Sequence, residues 1–103
     1  MSFVPLKGFI NDYEILNKYP FTIRNKKTRK PLKDSKHNEG YLTVNLNGVN
    51  YLKHVIIAKQ FLPNDDPVHK KEVDHKNRNR KDNRLCNLRW VTHSENNYNR
   101  KMP

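Results

Sequence analysis

Apolar and polar side chains alternate strictly along Leu42-Thr43-Val44-Asn45-Leu46, stop at Asn47-Gly48, and alternate again along Val49-Asn50-Tyr51-Leu52. A period of two is the mark of a half-buried strand, and Asn-Gly is the dipeptide of a type I′ turn, whose two central residues both need positive φ. The pattern predicts a hairpin closed by a two-residue loop. It pairs Leu46 with Val49 and Val44 with Tyr51 on a packing face, and leaves Asn45 and Asn50 on the other. From His54 to Leu62 the period changes: Ile57, Ala58, Phe61 and Leu62 fall on one side of a helix that Pro63 ends. This helix is expected to pack on the hairpin and on Trp90.

Weaker patterns flank this centre. Tyr13-Glu14-Ile15-Leu16 and Phe21-Thr22-Ile23 read as two short strands, with Pro20 forcing an edge or turn between them. Beyond the turn-rich Pro63-Asn64-Asp65-Asp66-Pro67, a strand is predicted at Glu72-Val73-Asp74-His75 and another at Asn87-Leu88-Arg89-Trp90-Val91, with Leu88 and Trp90 turned inward. The stretch between them, Lys76 to Cys86, is too polar for anything but a loop. Thr92-His93-Ser94-Glu95 is a capping box, so a helix starts at Thr92, with Asn96 in its first turn and Arg100 four residues further on the same face. The fold class is α+β: small N-terminal antiparallel strands, a hairpin, a packing helix, then a strand-strand-helix unit. Three segments, 1–36, 37–71 and 72–103, make one compact domain.

Composition narrows what such a fold can do. Phe, Leu, Ile and Val supply 25 of 103 residues, just above the roughly 20% at which high net charge predicts disorder, so the core is thin. A chain of this length buries only about 65% of its unfolded surface. Net charge is +11 with a pI near 10.0. Residues 18–36 carry net +7 and residues 76–101 net +6, leaving −2 on the rest. Two basic blocks about a mildly acidic middle suit a polyanion held along an extended surface. Cys86 is the only cysteine, which excludes an internal disulfide and a Cys-x-x-Cys zinc knuckle. It is expected part-buried ahead of the last strand, without chemistry. No apolar run reaches membrane-spanning length and Met1-Ser2-Phe3-Val4-Pro5 is no signal peptide. A cytoplasmic or nucleoid-associated location in a bacterial or phage-infected cell follows as the expectation.

The candidate chemistry lies in residues 72–101. Asp74 and His75 are adjacent, and Asn96 returns from a later helix. A carboxylate and an amide oxygen can hold one divalent cation beside an imidazole base at the same phosphate. Oxygen donors on both sides favour Mg²⁺ or Mn²⁺, one ion per site, over zinc. Neighbours in a strand point to opposite faces, so Asp74 and His75 serve one phosphate only if the strand ends or bulges at that point. His54 is assigned a structural or phosphate-contact role, and His37, His69 and His93 are left as solvated residues.

Val73-Asp74-His75, Asn83, the run Asn87-Leu88-Arg89-Trp90-Val91-Thr92 and Ser94-Glu95-Asn96 together resemble the HNH, or ββα-metal, nuclease motif in the form found in phage and intron-encoded homing endonucleases. Asn is 15 of the 103 residues, so single Asn matches mean little and the long run at a fixed distance from Asp-His carries the resemblance. It implies that His75 is the general base for an attacking water, that Asp74 and Asn96 bind the metal, and that Asn87 orients His75. The chain departs from many relatives in having Lys76-Asn77-Arg78 directly after the His. The N-terminal strands resemble the short DNA-contacting element that precedes such cores.

The implied substrate is double-stranded DNA, with phosphate contacts expected from Arg24, Lys26, Lys27, Arg29 and Lys30 in the first block and Arg78, Arg80, Lys81, Arg84, Arg89 and Arg100 in the second. One motif provides one cut per docking event, and no DNA-reading domain follows Pro103, so a monomeric nicking enzyme with modest sequence discrimination is expected. The competing class is a non-catalytic basic module binding DNA or RNA. Against it stands Asp74: a carboxylate at the centre of a basic surface repels phosphate unless a cation lies between them.

Overall fold

A computed structural model describes residues 2–37 and 39–101, with side chains through residue 98. In chain order the elements are β1 (Phe3–Pro5), β2 (Tyr13–Leu16), β3 (Ile23–Asn25), β4 (Ser35–Lys36), β5 (Leu42–Leu46), β6 (Val49–Leu52), α1 (Lys53–Phe61), β7 (Glu72–His75), a 3-10 turn over Leu85–Asn87, β8 (Leu88–Val91) and α2 (His93–Lys101). The strands form three small antiparallel sheets, ordered β1-β2-β3, β4-β5-β6 and β7-β8. The α+β class is the one the pattern predicts.

The hairpin forms in the expected register, Leu46 opposite Val49, Asn45 opposite Asn50 and Val44 opposite Tyr51. Asn47 and Gly48 take φ of 53° and 87°, the left-handed pair that a type I′ turn demands. Val44 and Leu46 go into the core, while Asn45 Nδ2 donates to Asn50 Oδ1 at 3.0 Å on the outer face. Val49 departs from expectation: at the hairpin tip it is 52% exposed. The tip is instead held by the first sheet, where Tyr13 Oη accepts the Asn47 backbone N–H at 3.1 Å and Asp12 accepts Asn47 Nδ2 at 3.1 Å.

In the first sheet β3 begins two residues later than predicted. Phe21 sits at φ 57°, a conformation that cannot pair in a ladder, yet its ring is buried against Phe61 with centroids 5.4 Å apart. Two strands were not legible as such: β1, at the edge of the first sheet, and β4, two exposed residues at the edge of the second. Lys7 N–H donates to Gln60 Oε1 at 2.9 Å and Gln60 Nε2 to the Pro5 carbonyl at 3.2 Å, which fastens the turn after β1 to α1.

Helix α1 turns Ile57 and Ala58 fully into the core, and packs on β5, β6, β7 and β8. The Trp90 indole donates to the Leu62 carbonyl at 2.9 Å, joining the end of this helix to β8. Buried Lys53 is matched by Asp34 at 2.8 Å, as a charge removed from water requires. One core runs through the molecule, from Leu6, Ile15 and Ile23 through Val44, Leu46 and Ile57 to Val73 and Leu88. The strand-strand-helix unit is therefore built on the hairpin and α1. Among the described residues no helix is long and apolar enough to cross a membrane.

Candidate active site

β7 and β8 pair without interruption, Glu72 with Val91, Val73 with Trp90, Asp74 with Arg89 and His75 with Leu88. Alternation along β7 puts Val73 and His75 on one face and Glu72 and Asp74 on the other. The strand ends at His75, and the chain turns at once: Arg78 N–H donates to the His75 carbonyl at 2.9 Å, with Arg78 at φ 63°. The strand thus ends, rather than bulges, at the adjacent Asp and His.

Asp74 is 4% exposed. Its Oδ2 accepts from Arg89 Nε at 2.9 Å across the ladder, so a cation from the neighbouring strand offsets the cost of burying the carboxylate. Helix α2 lies against the same face. Both capping-box bonds form, with Thr92 Oγ1 accepting Glu95 N–H at 3.1 Å and Glu95 Oε1 accepting Thr92 N–H at 3.0 Å. They hold Glu95 below the usual carboxylate range, chiefly through the Thr92 backbone bond. In the first turn, Asn96 Nδ2 donates to Glu72 Oε1 at 2.7 Å, and His93 Nδ1 lies 2.6 Å from Glu72 Oε2. Glu72 thus pins α2 to β7. With its amide nitrogen donating to Glu72, Asn96 keeps its carbonyl oxygen as the acceptor end. Asp74 and Asn96 are hard oxygen donors of the kind a small divalent cation takes, which fits the expected ion. Among the described residues no group of three or more His, Cys, Asp or Glu side chains is gathered as a ligand set.

His75, also 4% exposed, faces the hairpin and α1. Asn83 Oδ1 lies 2.7 Å from its Nε2. This corrects the role given to Asn87. The Asn87 amide is engaged along the loop instead: Oδ1 accepts Asn77 N–H at 3.0 Å, and Nδ2 donates to Asn77 Oδ1 at 3.0 Å and to the Asp82 carbonyl at 2.8 Å. The reason lies in the 3-10 turn, which takes up Asn87, so that β8 starts at Leu88 and the Asn87 side chain is spent closing the loop. Its backbone carbonyl accepts Lys76 N–H at 2.7 Å, sealing the loop from the other side.

The surroundings of His75 are aromatic. His54, buried in the first turn of α1, has its ring 4.5 Å from that of His75, and Tyr41 lies 6.0 Å away. Burial pushes the His75 imidazole below its ordinary value of 6.5, against the bond from Asn83 and the charge of Asp74, which favour protonation. His54 is driven down to about 3, first by burial and then by repulsion from His75. Both rings are neutral at pH 7, and a neutral His75 is a proton acceptor.

The basic residues fall into two kinds. Lys27, Arg29 and Lys30 are exposed with no side-chain partner among the described residues. Lys26 is exposed but donates to the Ile10 carbonyl at 3.2 Å, and Arg24 is committed to Glu14 at 2.9 Å and stacks 3.7 Å above the Phe3 ring. In the second block Arg84 grips Asp82 through two bonds of 2.8 and 2.7 Å, which lower the Asp82 carboxyl and raise the Arg84 guanidinium. Arg89 is held by Asp74. Arg80 is half-buried over the Tyr41 ring and donates to the Glu39 carbonyl. Arg78 is exposed, and Arg100 lies outside the residues whose side chains are described. Lys81 meets Lys36 of β4, and the nearness of the two ammonium groups lowers that of Lys81. Lys36 was missed because its block reads as one run of charge, with no signal that β4 would carry it to the second loop. Glu72, His93 and His54 were likewise missed as neighbours of the site, and Asn83, though part of the motif, had no assigned role. Cys86 is exposed, not part-buried, since the 3-10 turn directs it outward.

Residues 51–98 match the family model described as HNH endonuclease. A protein of Acanthamoeba polyphaga mimivirus described as an uncharacterized HNH endonuclease is 36% identical over 104 residues, covering 90% of this chain and 24% of its own length. Among solved structures, one of DNA binding and cleavage by the HNH homing endonuclease I-HmuI is similar with a TM-score of 0.78 and 29% identity, over 97% of this chain and 57% of that one. This chain therefore spans about a quarter of the viral relative and little over half of the solved one.

Proposed function

We propose, for a chain that carries the HNH endonuclease module on the fold of an HNH homing endonuclease, that it hydrolyses a phosphodiester of double-stranded DNA with the help of a divalent cation. The observation that carries this reading is the rim where β7 ends, with a buried neutral imidazole at His75 and a buried carboxylate at Asp74. His75 takes a proton from water as it attacks the phosphorus, with Asn83 holding the ring through Nε2. A cation held by Asp74 and Asn96 supplies charge neutralisation at the phosphate and the departing 3′ oxygen. Arg89 fixes the Asp74 carboxylate and Glu72 fixes the Asn96 amide, so both donors are oriented before substrate arrives. The outward cations Lys27, Arg29, Lys30 and Lys81 contact phosphates on either side of the cut. With one such rim among the described residues, a monomer is expected to leave a nick.

Incubation with supercoiled plasmid, with and without Mg²⁺ or Mn²⁺, tests the reading. Metal-dependent conversion to nicked circle, with linear DNA appearing late, is expected. DNA binding with no cleavage under any divalent metal would sink it, and direct linear product from a species that sediments as a dimer would sink the nicking step alone.

A further inference from the structure

We infer that His54 and Tyr41 are positioning residues that set the plane of the His75 imidazole, an inference that rests on the reading of His75 as the base. The Asn83 bond constrains one atom of the ring, but the torsion that turns an imidazole about its Cβ–Cγ bond is soft and broad. A base must point its lone pair along the path of the proton, so whatever holds the plane of the ring matters to its work.

A pile of flat groups drawn from four parts of the chain bears on that plane. The His54 ring lies 4.5 Å from that of His75, with 50° between the planes. Tyr41 stacks on His54 at 5.2 Å and 22°. The Arg80 guanidinium lies 4.9 Å from the Tyr41 ring and is anchored by its bond to the Glu39 carbonyl. Cation, ring, ring and base thus follow one another from the basic loop, past the start of β5 and through α1, to the end of β7. Stacked and tilted ring contacts add to the area they bury, enough to favour one orientation over others several-fold.

One detail separates this from simple core filling. His54 Nδ1 is buried and has no hydrogen-bond partner among the described residues. The ring is therefore held through its faces, against Tyr41 and His75, and not through that nitrogen. A flat ring is what the site uses, and the structure assigns that ring to His75. The polar loop and the base are thereby connected, because Arg80 in the loop closes the far end of the pile.

The test compares His54→Leu, which fills the space without a flat face, with His54→Phe, which keeps the face and removes the orphaned nitrogen. In histidine-labelled protein free of metal and DNA, the His75 ring signals are assigned by their loss in His75→Ala. They are expected as a single set in the parent and in His54→Phe, and as broadened or multiple sets in His54→Leu. On plasmid, His54→Leu is expected to lower kcat about tenfold or more at unchanged KM, and His54→Phe to restore it to within about threefold. A folded His54→Leu with parental kcat, or with one parental set of His75 signals, would overturn the inference. If His75→Ala itself cleaves at the parental rate, the assignment of the base fails instead, and the ring signals alone decide whether the pile orients His75.

Discussion

Two basic loops of this molecule look alike in sequence and are built differently. The one from Asn25 to Lys30 is a short surface turn: Asn25 Oδ1 accepts the N–H groups of Lys27 and Thr28, Thr28 Oγ1 accepts that of Lys30, and the chain passes on with its cations outward. The one from Lys76 to Arg84 is stitched shut by amides and carboxylates, Asn87 to Asn77 and Asp82, Asn77 to Asp82, Asp82 to Arg84, and Asn83 to His75. In the first the polar residues shape a turn and the cations are left for a partner. In the second much of the charge is consumed internally, because the loop closes on its own carboxylate and amides and on His75. Density of Lys and Arg therefore does not measure how much charge faces DNA.

Substitutions can break or sharpen that contrast. His75→Ala is expected to lower cleavage by about 10²–10⁴ while leaving DNA affinity close to the parent's, as measured by plasmid nicking and gel shift. A loss of binding as large as the loss of cutting would mean that the second loop is a contact surface after all. Next in size, Asn87→Ala removes three hydrogen bonds that close the loop and is expected to cost about 2–4 kcal/mol in denaturant unfolding. Asn25→Ala, which removes two exposed bonds, should cost under about 1 kcal/mol. Equal costs would erase the distinction between a stitched loop and a surface turn.

The buried ring pair gives a dependence on acid. His54 has its folded value near 3 against 6.5 unfolded, so the unfolded chain binds more protons between those limits. Stability is full above about pH 6.5 and falls as pH drops toward 3, by at most about 1.4 kcal/mol per pH unit for this group. His54→Phe should remove that part of the slope, and an unchanged slope would show that His54 is not held neutral. Cleavage should follow the same direction: its acid limb is expected below pH 6.5, where burial places the His75 imidazole. The smallest effect is electrostatic. Arg29→Ala with Lys30→Ala is expected to reduce the slope of log affinity against log salt by about 1.8, whereas Arg24→Ala with Arg84→Ala, of equal charge, should change it by less than about 0.5.

What was legible in the chain follows the range of the interaction concerned. The Asn47-Gly48 hairpin, the Thr92–Glu95 capping box and the Pro63 stop are local events between residues a few positions apart, and all form as read. The α+β class and the HNH resemblance, which rest on such local patterns at fixed spacing, are borne out as well. The errors concern groups whose partners come from afar or whose direction is set by a turn. Asn83 and Asn87 both sit in a polar stretch, and only the 3-10 turn at Leu85–Asn87 decides which one reaches His75. Arg80 reads as a phosphate contact until Tyr41, 39 positions earlier, arrives beneath it. Short edge strands such as β4 carry too few residues to show a period, yet β4 is what brings Lys36 beside Lys81.

The bond from Trp90 to the Leu62 carbonyl also makes the molecule self-reporting. Trp90 is the single tryptophan of the chain, so all indole emission originates at the junction between the end of α1 and the strand that carries the site. Half-buried and hydrogen-bonded there, the indole moves into water when that junction opens, and its emission shifts to longer wavelength. Loosening of the β7-β8 pair from its support can then be followed without a label, and separately from the ring signals of Tyr13 in the first sheet.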